Sequence, residues 1–256
     1  MRIPRRLGPG EEATLVEHLD ELRSRIIVIL VALSAATIFT FAFHSHLIHW
    51  LNDALPANRR RPVTFAVAEP FVTSLMVSIY AAVVITLPII LWQVWAFFAP
   101  AFERKTQRAA SALVVLATAL AFAGLAFGYF VVLPRALHFL TNYDSDLYKI
   151  QIRARDYYSF SSTLLLAVVA IFEVPVAVLG LVKVGVLSSA ALRRNRRWGY
   201  FIVAVIALGL PGPDPVTTAL ELLPMWAIYE LSIWLAVLVE RRSARAQAAP
   251  EALAEQ

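Results

Sequence analysis

The sequence of 256 residues contains no cysteine, and only 16% of its residues are charged. The missing thiols exclude disulfides, thiolate metal sites, iron–sulfur clusters and a cysteine nucleophile. Soluble domains average about 25% charged residues, so this scarcity argues against a soluble enzyme, a disordered regulator or a nucleic-acid-binding module. The sequence also lacks a Gly-rich phosphate loop, a Gly-x-Ser-x-Gly elbow and a His-Glu-x-x-His motif. Nothing therefore indicates an enzyme, and we expect no cofactor.

Long apolar runs account for the hydrophobic share of 59%. Six of them are candidate membrane helices, which need about 20 residues to cross a core of about 30 Å. They lie near residues 26–43, 71–98, 109–133, 157–182, 198–211 and 216–239. The fifth run is too short to span an unthinned bilayer. The sequence predicts one all-α integral membrane domain over residues 1–245 with six transmembrane helices, followed by a disordered tail over residues 246–256.

The distribution of lysine and arginine predicts the orientation of these helices. Sixteen of the 23 basic residues fall on the side of the N-terminus, and seven fall on the other side. The positive-inside rule then places both termini in the cytoplasm. The first apolar run has no small-residue cleavage site after it, so we expect it to remain in the mature protein.

An amphipathic helix is predicted just before the first span, with an acidic face formed by Glu17, Asp20 and Glu21. Such a face could bind a basic ligand, because arginine and carboxylate groups form charge-assisted bidentate pairs. Two structural interpretations remain open. Thr14 and Glu17 fit a capping box, and Glu21 stands four residues before Arg25, with which it could simply pair.

Three acidic residues fall inside the predicted spans, where an ionisable group is costly and needs a cavity or a partner. Glu173 lies in the fourth span, next to the helix-loosening Pro175, while Glu221 and Glu230 lie in the sixth. Glu173 is therefore a functional candidate, and the alternative is a protonated structural carboxyl group. Three histidines beyond the first span lack a suitable helical face and close carboxylates, so we expect no metal site: His44, His46 and His49.

Five segments follow one another along the chain: Glu17–Arg25, Trp92–Pro100, Gly128–Pro134, Phe172–Val176 and Pro213–Asp214. Together and in this order, they resemble the TatC family of the twin-arginine protein translocase. The resemblance runs from about residue 15 to residue 238. The resemblance implies a glove-like concave bundle of six helices, the last two short. It also implies the core receptor subunit of a translocase in the cytoplasmic membrane, one that binds twin-arginine signal peptides.

The same resemblance implies partners and a driving force. Single-span TatA- and TatB-type proteins would join the chain in an oligomeric complex, and the protonmotive force would move folded proteins across the membrane. By position, Glu21 matches the glutamate that contacts the arginine pair, with Asp20 and Glu17 beside it. Arg23 matches a structural or orienting arginine.

Three more positions carry the resemblance or depart from it. Glu173 matches the glutamate lining the concave cavity, and Asp214 matches the aspartate of the outer turn. The family's loop glutamate is replaced by Thr106, whereas Glu103 lies three residues before it. Glu103 is thus the candidate second carboxylate for the signal peptide, because three residues are about one helical turn.

Two other functions remain as alternatives. One is a proton-coupled secondary transporter or channel that uses Glu173 and Glu221. The absence of a detectable internal repeat weakens this alternative, since many transporters are built from inverted repeats. The other is a membrane scaffold whose buried acids serve packing only.

Overall fold

The computed structural model describes residues 15–98, 104–144, 146–148, 150–183, 185–209 and 214–254. Over the described residues the chain is helical, apart from turns and one isolated bridge between Val63 and Arg153. The α-helices are α1 (Leu15–Ala42), α2 (His44–Asp53), α3 (Glu69–Phe98), α4 (Arg104–Phe127), α5 (Leu133–Asn142), α6 (Ala154–Phe172), α7 (Val174–Lys183), α8 (Ser189–Arg194), α9 (Arg196–Leu208) and α10 (Pro215–Ala254). The predicted all-α class is confirmed.

Five stretches of helix are long and apolar enough to cross a membrane. They are Leu19–Ala42, Glu69–Phe97, Leu113–Asn142, Ala154–Lys183 and Pro215–Arg241. Each overlaps one predicted span, and most extend it by several residues. The predicted fifth span is helix α9, whose 13 residues rise about 20 Å and fall short of a bilayer core. The count of six crossings, the concave arrangement and the cytoplasmic termini stay predictions.

Helix α10 continues to Ala254, where the sequence analysis expected a disordered tail from residue 246. The backbone of residues 246–254 is helical in the structure. Five of these nine residues are alanine, the best helix former, and this propensity explains why the helix does not stop at residue 245. The boundary of the membrane domain at residue 245 stays a prediction.

The third candidate span changes its winding near its centre, where the π-helical turn Gly128–Val132 joins α4 to α5. Pro134 follows in the first turn of α5, and its missing N–H cannot continue the α-helical hydrogen-bond ladder. A Cβ atom at Gly128 would stand 3.0 Å from the Cδ2 atom of Leu165. The absence of a side chain at Gly128 therefore permits close packing against α6.

The fourth span is broken at Glu173, between the end of α6 at Phe172 and the start of α7 at Val174. Pro175 stands in the first turn of α7 and has no N–H to donate to a carbonyl four residues earlier. This agrees with the local loosening that the sequence predicted around Pro175. The break leaves the backbone irregular on the N-terminal side of α7, next to an ionisable side chain.

The chain divides into two compact units, Met1–Val169 and Ala170–Gln256. In the first unit, α3 packs along α1 and also contacts α2 and α4. In the second unit, α10 packs against α7, α8 and α9. A buried cluster of apolar side chains holds the second unit together: Ile171, Val203, Ala207, Met225, Tyr229 and Ile233.

Candidate functional site

The predicted acidic face lies on the first turns of α1. Asp20 and Arg23 are exposed, whereas Glu21 is mostly buried, with 21% of its side-chain surface accessible. Glu21 forms an ion pair with Arg25, one helical turn further along. The Glu21–Arg25 pair, one of the two structural interpretations of this face, is thus observed. The other interpretation, a capping box, involves Thr14, which lies outside the described residues.

Arg25 does more than pair within its own helix, because its guanidinium group also reaches the end of α3. Its Nη1 atom donates to Oε1 of Gln93 at 3.2 Å, and its Nη2 atom donates to the carbonyl oxygen of Ala96 at 2.9 Å. The Nη2 atom also donates to Oε1 of Glu21. Three oxygen acceptors from two helices therefore converge on one guanidinium group, which places Glu21 at the junction of α1 and α3.

Several predicted site residues cannot be placed against this junction. Glu17 belongs to α1 by its backbone, but its side chain is outside the described part of the structure. Glu103 lies outside the described residues altogether, and Thr106 is described by its helical backbone only. The role of Glu103 as a second carboxylate, and that of Glu17 beside Glu21, stay predictions.

Glu173 lies at the break between α6 and α7 and is partly buried. Both of its carboxylate oxygens are buried, and neither has a hydrogen-bond partner among the described residues. A buried carboxyl group without a partner is costly, because it loses its hydration without replacement. Among the described residues, nothing occupies the hydrogen-bonding capacity of this side chain, which could therefore bond to a group that enters this region.

Asp214 serves as the N-cap of α10. Its Oδ1 atom accepts hydrogen bonds from the N–H groups of Val216 at 3.1 Å and Thr217 at 2.8 Å. These bonds satisfy two of the donors that a helix start leaves unpaired. The aspartate predicted in the outer turn thus has an observed local function, which is to begin the last helix directly before Pro215.

The two acidic residues of the sixth predicted span have different surroundings. Glu221 is 1% exposed, and neither of its carboxylate oxygens has a partner among the described residues. Glu230 instead accepts a hydrogen bond from the hydroxyl group of Tyr200 and pairs with Nη2 of Arg196 at 3.1 Å. Glu230 is therefore an anchor between α9 and α10, which the sequence analysis did not predict.

A buried carboxylate at the start of α3 was not predicted from the sequence. Glu69 is 5% exposed and accepts hydrogen bonds from Nε of Arg153 at 3.0 Å and Nη2 of Arg153 at 3.2 Å. It also accepts from the backbone N–H groups of Phe65 and Arg155. This hydrogen bonding raises the pKa of the Arg153 guanidinium above its usual value. The cluster fastens the segment before α3 to the start of α6, beside the Val63–Arg153 bridge.

The histidines show no metal-binding arrangement in the part of the chain that the structure describes. His44 directs its Nδ1 atom to the carbonyl oxygen of Phe41 at 2.8 Å. Within the described residues, no group of three or more potential ligands gathers around one point.

Comparison with known proteins identifies a consistent set of relatives. The family profile "Sec-independent protein translocase protein (TatC)" matches residues 17–224. The TatC protein of Carboxydothermus hydrogenoformans is 31% identical over 228 residues, which are 89% of this chain and 94% of that protein. The chloroplastic TATC protein of Arabidopsis thaliana is 35% identical over 238 residues, which are 92% of this chain and 69% of that protein.

Solved structures give the same result for the fold. A crystal structure described as the twin arginine translocase receptor TatC superposes with a TM-score of 0.77 at 30% sequence identity. The alignment covers 86% of this chain and 99% of the crystallised chain. The fold of this chain is thus similar to that of a TatC protein whose structure has been solved.

Proposed function

The chain belongs to the TatC family of Sec-independent protein translocase proteins, and we propose that it is the signal-peptide receptor subunit of a twin-arginine translocase. Its ligand is the signal peptide of a precursor protein, recognised through two adjacent arginines. The carboxylate of Glu21 is the recognition group, with the exposed Asp20 next to it and Arg23 as an orienting residue. Glu17 and Glu103 complete the acidic surface.

The observation that carries this proposal is the position of Glu21 at the junction of α1 and α3. Its carboxylate is already bound to one guanidinium group, that of Arg25, so its surroundings are compatible with arginine binding. Charge-assisted pairs between arginine and carboxylate are about twice as strong as neutral hydrogen bonds. A planar guanidinium forms two parallel bonds where an ammonium forms one, which gives a physical basis for preferring arginine over lysine.

Glu173 is the second functional residue of the proposal. After the arginine pair is bound, the apolar part of the signal peptide inserts into the membrane region, and the unpartnered Glu173 carboxyl group offers it a polar anchor. A buried carboxyl group in a membrane span is expected to serve function unless it is paired, and Glu173 has no partner among the described residues. Asp214 caps the start of α10.

We further propose that the chain lies in the cytoplasmic membrane with both termini in the cytoplasm, as its basic residues indicate. Its partners are TatA- and TatB-type single-span proteins in an oligomeric complex driven by the protonmotive force. The transporter alternative, with Glu173 and Glu221 as a proton relay, has less support, because the relatives are translocase proteins. Purified chain in liposomes should therefore carry no substrate flux by itself.

Site-specific photocrosslinking in inverted membranes tests the receptor role. A photoreactive residue replaces Asp20, which is exposed beside Glu21, and a precursor with an Arg-Arg signal is compared with its Lys-Lys version. We expect a crosslink with Arg-Arg that weakens sharply with Lys-Lys and again when Glu21→Ala is added. Equal crosslinking to both precursors would contradict the receptor role of this face and favour the transporter alternative.

A further inference from the structure

The guanidinium group of Arg25 occupies a site whose chemistry suits any arginine side chain. The acceptors around it are the carboxylate of Glu21, the side-chain amide oxygen of Gln93 and the carbonyl oxygen of Ala96. All three are oxygens, and a guanidinium group has donors only. We call these three acceptors the guanidinium cradle.

Arg25 occupies the guanidinium cradle without satisfying all of its own donors among the described residues. Its Nε atom is buried and has no hydrogen-bond partner among the described residues, and a buried donor without a partner is costly. Its single contact with Glu21 comes from Nη2, an atom that it also shares with the carbonyl of Ala96. Arg25, four residues along the same helix, contacts the carboxylate through this one nitrogen and does not form the bidentate pair of which the two groups are capable.

We propose that the guanidinium cradle is the binding site for one arginine of the signal peptide, and that Arg25 is the internal competitor that this arginine displaces. This inference rests on the proposed receptor function and adds Gln93, the Ala96 carbonyl and Arg25 to it. An arginine from a separate chain is not tied to α1, so it can approach Glu21 with both Nη atoms. Displacement also releases Arg25 from the place where its Nε atom is unsatisfied.

Competition has a consequence that distinguishes it from a positioning role. If Arg25 only held Glu21 in place, its removal would weaken ligand binding. If it competes, removal tightens binding, because the ligand no longer has to break an existing ion pair. For a partly exposed ion pair of ordinary strength, we expect removal to tighten ligand binding by about fivefold.

The experiment measures the affinity of the full chain, in lipid nanodiscs, for a synthetic twin-arginine signal peptide and for its Lys-Lys version. We expect Arg25→Gln to bind the Arg-Arg peptide about fivefold more tightly than the original chain. Arg241→Gln is the matched control, because it removes one exposed arginine far along the sequence, and it should leave the affinity unchanged. Weaker binding by Arg25→Gln would overturn the proposal and make Arg25 a positioning residue.

Gln93→Leu provides an independent arm. It removes an acceptor of the cradle, so it weakens the binding of Arg25 as well as the binding of the ligand arginine. In the original chain these two effects on the affinity for the ligand partly cancel. In the Arg25→Gln background only the ligand is affected, and we expect binding about tenfold weaker than in Arg25→Gln alone, as for the loss of a hydrogen bond to a charged group. An equal effect of Gln93→Leu in both backgrounds would contradict competition.

Two further variants keep the outcome interpretable. Should Arg25→Gln fail to fold, Arg25→Lys retains the charge but lacks the planar fork, and we expect it to tighten binding by a smaller factor.

Glu21→Gln separates the two proposals. If Glu21→Gln and the Lys-Lys peptide both lower affinity while Arg25→Gln does not raise it, the receptor function stands and the competitor fails. If neither lowers affinity, the receptor function itself is wrong.

Discussion

Gly199 of α9 lies directly against the side chain of Tyr229 of α10, and this contact yields a quantitative prediction. A Cβ atom built at Gly199 would overlap the phenol ring of Tyr229, with the hydroxyl oxygen as its nearest atom. Tyr229 is 8% exposed and belongs to the buried cluster of the second unit, so its ring cannot swing into solvent. The substitution Gly199→Ala must therefore move the ring or separate the two helices.

The size of the effect follows from two opposing contributions. Overpacking of a well-packed interior costs about 1–3 kcal/mol, while alanine regains up to about 1 kcal/mol of helix propensity over glycine. We expect Gly199→Ala to lower the free energy of unfolding by about 1–2 kcal/mol. Tyr229→Ala removes a large buried ring and should cost about 3–5 kcal/mol by itself.

The double variant tests the cause. With the ring removed, the methyl group at position 199 has space, so Gly199→Ala should become neutral or stabilising in the Tyr229→Ala background. The assay is equilibrium unfolding in mixed detergent micelles, followed by circular dichroism, for the four combinations. Gly209→Ala is the matched control, since a Cβ there meets only ordinary contacts from 3.4 Å outward. Strictly additive effects of the two substitutions would refute the steric reasoning.

Three further predictions concern the acidic residues. Glu69→Gln should lower the melting temperature and expose the segment before α3 to protease, because the amide cannot hold Arg153 and the backbone N–H groups together; an unchanged cleavage pattern would contradict this. Glu221→Leu should raise the melting temperature, since leucine is of similar size and replaces a buried carboxyl group that has no partner among the described residues; a marked loss of stability would show that Glu221 has a partner. Glu173→Gln should leave precursor binding intact but reduce transport into inverted vesicles, whereas full transport would support the scaffold alternative.

The helices could be predicted from the sequence because the apolar runs are long and the bilayer sets their length. All five candidate spans overlap predicted ones. The shortness of the fifth predicted span, near residues 198–211, could be seen in the sequence, because Pro211 ends its apolar run. The bounds differ by several residues, since a helix continues past the membrane core wherever local propensity allows. For the same reason α10 extends over residues 246–254, which the composition alone indicated as tail.

The site could be predicted only in part. Glu21 was found by its amphipathic surroundings and by resemblance to a family, and its pairing with Arg25 follows from a spacing of four. The contact of Arg25 with Gln93 joins residues 68 positions apart, and that of Glu69 with Arg153 joins residues 84 apart. No periodicity in a single sequence encodes such pairs, because they depend on how the helices pack.

The central claim is that Glu21 recognises the planar guanidinium group of a signal peptide, and a thermodynamic cycle tests it most directly. The affinities of the original chain and of Glu21→Gln are measured for the Arg-Arg and the Lys-Lys signal peptide. We predict that the original chain prefers Arg-Arg and that Glu21→Gln loses most of this preference, because the carboxylate provides the bidentate pair. An undiminished preference for Arg-Arg in Glu21→Gln would contradict the claim and locate the recognition of arginine elsewhere on the chain.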